Sequence, residues 1–295
     1  MKVLLIDADS TIPNLALMKL SAWHKVQGDE VSFSESKPDK IYASIIFKKN
    51  RLLLSGIQHL YPEAEIVIGG SGYDLKSQLL PEIEAVCPDY SLYPDMDYSL
   101  GFTSRGCPNH CYFCWVPEKE GKYKHWHHPS LWVRHNKAKL LDNNWYADPE
   151  WFFETSQWFI DHHVAVDVTQ GMDIRLITPE IAQQLKRLMW WNPIHFAFDD
   201  DSSESKVLEG IEILKATGHN VRSDVMFLVY CHDNKDYLSA LRRAEILKAY
   251  GTTAFIMWNM DNPHKSKRVK DLIHTVNRPW IYWSKGSLEA LPHVA

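Results

Sequence analysis

The sequence predicts an α/β protein: a partial (β/α)6 barrel preceded by a small Rossmann-like parallel-sheet domain. Three observations carry this expectation. Short apolar runs alternate with helical periodicity along all 295 residues, which is the pattern of parallel strands joined by crossover helices. The alternation falls into two series, 1–98 and 99–295, divided by the Pro-, Asp- and Tyr-rich stretch CPDYSLYPDMDY, which reads as a linker. The second series holds six βα units, fewer than the eight of a closed barrel, so an open or partial barrel follows.

In the first series, KVLLID at 2–7 is a buried-strand run ending in an acid. A helix is expected over 14–27, with Leu15, Met18, Ala22 and Val26 on one stripe and Gly28 as its stop. Strands are expected at 30–33, 41–47 and 65–70. In the second series the expected strands are GFTS before the cysteines, then 137–142, 164–169, the start of 194–201 before its run of acids, 221–230 and 252–259. Helices are expected at 149–162, after Thr178 and Pro179, at 204–217 and at 237–250. IYWSKG at 281–286 is expected to add a last strand. Polar residues collect where these strands end, which is where chemistry sits in such folds.

Composition narrows the function classes. The net charge of −5 provides no global basic field, so dedicated nucleic-acid binding is not expected. The basic run from His264 to Lys270 reads as a solvated helix face. The apolar run at the start is too short for a signal peptide and no segment reaches membrane-spanning length, so a cytoplasmic protein without a membrane partner is expected. Clustered cysteines in a reducing compartment indicate metal binding rather than a disulfide framework.

Three of the five cysteines, Cys107, Cys111 and Cys114, lie within CPNHCYFC. Thiolates hold iron–sulfur clusters and zinc, and closed sites generally use four ligands. A compact trio leaves one metal position open for a substrate or cofactor. A zinc site of the three thiols with His110, or with one of His125, His127 and His128, is the alternative, and would make the chain a non-catalytic zinc-binding module. Cys87 and Cys231 stand alone and read as small buried hydrophobes, so no auxiliary cluster is expected.

The spacing Cys-x3-Cys-x2-Cys, with Phe113 before the last cysteine and a strand leading in, resembles the radical S-adenosylmethionine superfamily. The likeness covers residues 100 to about 260 as motif plus six βα units. It implies an enzyme in which Cys107, Cys111 and Cys114 bind a 4Fe–4S cluster and S-adenosylmethionine chelates the remaining iron. Reductive cleavage would then yield a 5′-deoxyadenosyl radical for hydrogen abstraction from an unknown substrate. A flavodoxin- or ferredoxin-like electron donor is implied as partner.

The resemblance also distributes cofactor contacts. Asp142, Asn143 and Asn144 stand where the family contacts the amino group of S-adenosylmethionine, in place of the commoner Gly-Gly-Glu; a helix-start turn is the alternative reading. Gln170 and Arg175 follow the third strand, with Arg175 placed to pair with the methionyl carboxylate. Asp199 or Asp200 would accept from the ribose hydroxyls, or form an ordinary turn. Met257 and Trp258 fit an adenine wall and fit a core equally. Trp115 is expected to shield the cluster or adenine. Arg105 would offset the cluster's charge or pair with an acid. His125-Trp126-His127-His128 reads as surface.

The first series looks like the cobalamin-binding domain of some members of that superfamily, which would make the chain a cobalamin-dependent radical methyltransferase. The cobalt-ligating pattern Asp-x-His-x-x-Gly is broken, however: Asp9 stands at the histidine position and Ile12 at the glycine. The favoured reading is a degenerate domain that caps the barrel or helps bind substrate. The Gly69-Gly70-Ser71-Gly72 turn reads as an ordinary strand ending, with a phosphate cradle as the alternative.

Overall fold

A computed structural model describes residues 1–259 and 262–288. Strand β1 is Lys2–Asp7, with Val3, Leu4 and Leu5 buried. Helix α1, Leu15–Val26, starts where the Asn14 side chain accepts from the Leu17 amide. It stops before Gly28, whose φ of +83° favours glycine. Strands β2 (Glu30–Ser32) and β3 (Lys40–Ser44), the short helix α2 (Ile57–Leu60) and strand β4 (Glu65–Gly69) complete a parallel sheet of order β2-β1-β3-β4. The strand expected to reach 47 ends at Ser44. A 3-10 helix, Lys48–Leu54, replaces its end, and none of that helix is buried.

After helix α3 (Pro81–Glu84) comes the stretch expected to be a linker, and it is packed on both sides. Asp89 accepts from Ser21 and Lys25 of α1. The Tyr93 hydroxyl donates to Asp7 at 2.7 Å and accepts from the Asn14 amide. The Tyr90 hydroxyl donates to the Trp132 carbonyl at 2.7 Å. Aromatic rings with polar tips satisfy both neighbours at once, which the turn-like composition did not convey.

The second series runs β5 (Ser99–Gly101), β6 (Ser104–Arg105), α4 (Val116–Lys119), β7 (Lys124–His125), β8 (Lys137–Leu140), α5 (Pro149–Asp161) and β9 (Ala165–Val168). It continues with α6 (Pro179–Arg187), β10 (Ile194–Ala197), α7 (Glu204–Ala216), β11 (Val225–Cys231), α8 (Tyr237–Ala249), β12 (Thr253–Trp258), α9 (Lys267–Val276) and α10 (Pro279–Ser284). Strands β5-β8-β9 form one parallel sheet and β10-β11-β12 another. Isolated parallel bridges run from Val166 of β9 to Trp190, ahead of β10, and from Met172, beyond β9, to Phe196 of β10. Strands β6 and β7 form a small antiparallel ribbon around the cysteine loop.

Strand alternation sorts the side chains. Val166, Val168, Phe196, Phe227, Val229 and Ile256 are buried in one core with residues of the covering helices. Their neighbours Asp167, His195, Leu228, Tyr230 and Met257 therefore point to the opposite face. Two expectations are corrected. IYWSKG is the helix α10 and a following turn, because Pro279 starts a helical turn and Tyr282 buries its hydroxyl against the Ala244 and Thr252 carbonyls. Residues 221–224 form a turn ahead of β11. No helix among the described residues is long and apolar enough to cross a membrane.

Candidate functional site

The cysteine loop is anchored at its root by a buried carboxylate. Asp142, just beyond β8, is fully buried. Its Oδ1 accepts from the Thr103 amide at 2.8 Å. Its Oδ2 accepts from the Thr103 hydroxyl, the Ser104 amide and the Ser104 hydroxyl at 2.5–2.7 Å. Burial pushes the Asp142 carboxyl up to about 6, against the opposing effect of these hydrogen bonds. The expectation that Asp142 meets an ammonium of S-adenosylmethionine is therefore corrected: it buckles β8 to the chain entering the cysteine loop.

The next residues are positioned by Glu120, which the sequence reading missed. Its Oε2 accepts from the Gly106 amide and the Asn143 side chain, each at 2.9 Å, and its Oε1 pairs with Arg105 at 3.2 Å. Arg105 thus pairs with acids, Glu84 being its second partner at 3.6 Å. Asn143 is likewise a loop anchor. Gly106 has φ +77°, and a Cβ there would lie 2.2 Å from the Lys122 carbonyl oxygen, so only glycine admits this path.

All three loop thiols are free. The Asn109 amide donates to the Cys107 sulfur at 3.5 Å and the Val116 amide to the Cys114 sulfur at 3.4 Å. At Cys107 the amide contact lowers the thiol against the larger opposing effect of burial. Burial pushes the Cys107 and Cys111 thiols up, and the neighbouring thiols add to the shift. The Cys107 and Cys111 thiols therefore keep their protons to higher pH than a free thiol.

The loop lies across the C-terminal ends of the parallel strands. Asn109, between the first two cysteines, donates to Asp173 beyond β9 at 2.8 Å. Phe113 stacks on Tyr230 of β11 with ring centres 4.2 Å apart and planes 21° apart. Tyr112 meets the His232 ring edge-on at 5.8 Å. Asp173 also binds Arg175 through Nε and Nη2 at 2.7 Å each. Burial would raise the Asp173 carboxyl, but Arg175 and Asn109 more than offset it and hold it below the usual range. Arg175 is thus brought to the site with two of its donors already engaged.

Asn144 is buried, with Oδ1 accepting from the Asp173 amide at 3.3 Å and Nδ2 without a partner. Asp199, beyond β10, accepts from the Tyr230 amide at 2.8 Å. Burial pushes its carboxyl up to about 6. Asp200 instead caps the 3-10 turn Asp201–Ser203. Gln170 is exposed beyond β9. Met257 is half-buried on the inner strand face. Trp258 points the other way into the helix-side core, with its indole N–H on the Asn262 carbonyl at 2.7 Å, so its role as an adenine wall is corrected. Asp261, a further polar residue expected at the end of the sixth strand, lies outside the described residues.

Trp115 is 46% exposed and lies under the Lys48 ammonium at 3.9 Å, so it borders the first sheet's segment rather than shielding an interior group. His125 is exposed, paired with Asp148 at 2.9 Å and stacked on Trp151, whereas His127 is half-buried. His110 is exposed. Among the described residues no three His, Cys, Asp or Glu side chains converge on a point that holds a single metal ion. A cubane takes each thiolate at a separate iron, so its ligands stand wider than those of one ion. The three free thiols on this loop are the donors such a group would need.

The crevice at the ends of β1 and β3, where the strand order reverses, is filled by the chain itself. Asp9 accepts from the Ile46 and Phe47 amides and the Asn50 side chain at 2.7–3.0 Å. Asn14 bridges Ser10 and Ser44. Gly70 and Gly72 are required because a Cβ would strike the Ile45 and Phe47 backbone, and the Gly72 amide is donated to the Ile45 carbonyl. The glycine turn is therefore a packing device. No family model matches this chain, and no curated protein matches it.

Proposed function

We propose that this chain is a radical S-adenosylmethionine enzyme whose two bridged parallel sheets form a partial (β/α)6 barrel. The observation that carries the reading is a loop of three free cysteines held across the C-terminal ends of parallel strands by Asn109–Asp173 and Phe113–Tyr230. Strand ends are where such folds assemble reactive sites.

Cys107, Cys111 and Cys114 would hold a 4Fe–4S cluster. When bound, that group supplies the electron that cleaves the sulfonium of S-adenosylmethionine. The protein's part is positional. Asp142 and Glu120 hold the loop's root, and Asn109 holds its first turn. Phe113 on Tyr230 closes one side against water. Arg175, oriented by Asp173, presents positive charge toward the loop, where it meets Cys111 electrostatically. Asp199 offers a carboxylate beside β11 for hydroxyl groups. The cobalamin-dependent alternative is disfavoured by the engagement of Asp9 with the Ile46 and Phe47 amides and by the Tyr93 plug at Asp7.

The test is anaerobic reconstitution with iron and sulfide, followed by S-adenosylmethionine and dithionite. The iron and sulfide of one 4Fe–4S cluster per chain and release of 5′-deoxyadenosine are expected, both lost in Cys107→Ala, Cys111→Ala or Cys114→Ala. Iron-free protein, or a cluster that persists in all three variants, rejects the reading.

A further inference from the structure

The stretch from Ile41 to Pro62 contains no Asp or Glu, yet carries Lys48, Lys49 and Arg51, in a chain of net charge −5. Its 3-10 helix Lys48–Leu54 buries no residue. Leu52 is 80% exposed, Leu53 61% and Leu60 75%. Lys48 and Lys49 form no ion pair among the described residues. Arg51 is different: its guanidinium holds the Gly72 and Tyr73 carbonyls, so it fixes the segment in place. Exposed cations beside bare leucines, with Lys49 near the Asp9 carboxylate whose value it helps lower, are unusual on a surface with no partner.

The position of this patch gives it a direction. The Lys48 ammonium lies 3.9 Å from the ring centre of Trp115, the residue that follows Cys114. Lys119, in the helix after the loop, donates to Ser71 at 2.6 Å, tying the same two regions. The basic, apolar segment therefore abuts the cysteine loop from the solvent side.

We propose that the 48–53 segment is the docking surface for an acidic one-electron carrier protein, an inference that rests on the cluster reading above. Charge complementarity sets the partner's sign, the exposed leucines provide the desolvated centre, and the neighbouring loop sets what the partner delivers. The carrier is oxidised by one electron, which enters the chain at the cysteine loop.

Two measurements separate this inference from the reading beneath it. In the first, an oxidised flavodoxin and an oxidised 2Fe–2S ferredoxin are titrated onto the full chain, its Lys48→Glu/Lys49→Glu variant and its Leu52→Asp/Leu53→Asp variant. Binding of at least one carrier is expected to weaken roughly tenfold or more in each variant, and in the parent as salt is raised. In the second, reconstituted protein is driven by dithionite or by the reduced carrier. Carrier-driven 5′-deoxyadenosine release is expected to fall by a similar factor in the variants while the dithionite-driven rate stays at the parent level. No carrier binding to the parent, equal binding to parent and variants, preferential binding of the segment to anionic vesicles, or self-association through it overturns the docking surface. Loss of the dithionite-driven reaction in the parent overturns the cluster reading instead, and the binding titration still decides the docking surface.

Discussion

A single buried carboxylate explains more of the site than its position in the chain suggested. Asp142 collects two backbone and two hydroxyl donors, so it closes the gap between β8 and the cysteine loop. Asp142→Asn puts an amide N–H where only acceptors fit. It is expected to lower stability by about 1–3 kcal/mol, read from the urea midpoint, with reduced cluster retention. Asp142 and Asp199 both sit at about 6, above the ordinary carboxyl value near 4. The folded chain therefore holds more protons than the unfolded chain between those values. Their contribution to stability is largest below about pH 4 and falls as pH rises through about 6. Asp173 has the opposite sign, its stabilisation present at neutral pH and lost on acidification. Asp199→Asn is expected to shrink the fall in urea midpoint between about pH 4 and 6. An unchanged slope in the variant would show that Asp199 is not held protonated by its surroundings.

At the scale of elements, the cysteine loop is a shaped segment rather than a tether for thiols. The left-handed Gly106 and the close Lys122 carbonyl hold its entry against β7. Gly106→Ala is expected to abolish iron incorporation with all three cysteines intact, measured as iron per chain after reconstitution. Retention of full iron would mean that the loop forms independently of its entry turn. Thr178 was legible as a cap because capping is a local signal, and the structure adds Asn14 and Asp148 as the caps of α1 and α5. The ends of β3 and β11 and the nature of IYWSKG were not legible, because short apolar runs suit strand and helix equally until neighbours choose. Glu120 was missed for a related reason. It is one acid among 37 acidic residues, and nothing local marks the one that receives Gly106, Asn143 and Arg105.

Across the whole molecule, the first sheet and the cysteine-bearing portion are coupled through buried charge. Lys19 of α1 is almost fully buried and binds Glu84 at 2.5 Å, and Glu84 also pairs with Arg105 at the root of the cysteine loop. Removing the Glu84 carboxylate leaves the Lys19 ammonium only the residue-84 backbone carbonyl, which it also holds at 2.6 Å. Glu84→Ala is expected to lower global stability by about 3–5 kcal/mol and to unfold both portions in one transition, followed by denaturation with circular dichroism and tryptophan fluorescence together. Two separated transitions in the parent protein would show that the portions fold independently.

Sequence by itself determined what periodicity and spacing encode: alternating strands and helices, the parallel α/β class, the Thr178 cap and three cysteines within eight positions. These depend on residues close together in the chain. Only the tertiary structure decided which polar groups are engaged. It buried Asp142 under Thr103 and Ser104, joined Asn109 to Asp173, turned Trp258 outward while Met257 faces inward, and filled the first sheet's crevice with Asp9 and Tyr93. The reason is physical: a side chain's role follows from its distant neighbours and from the loss of water around it, and neither is written within a local window of residues.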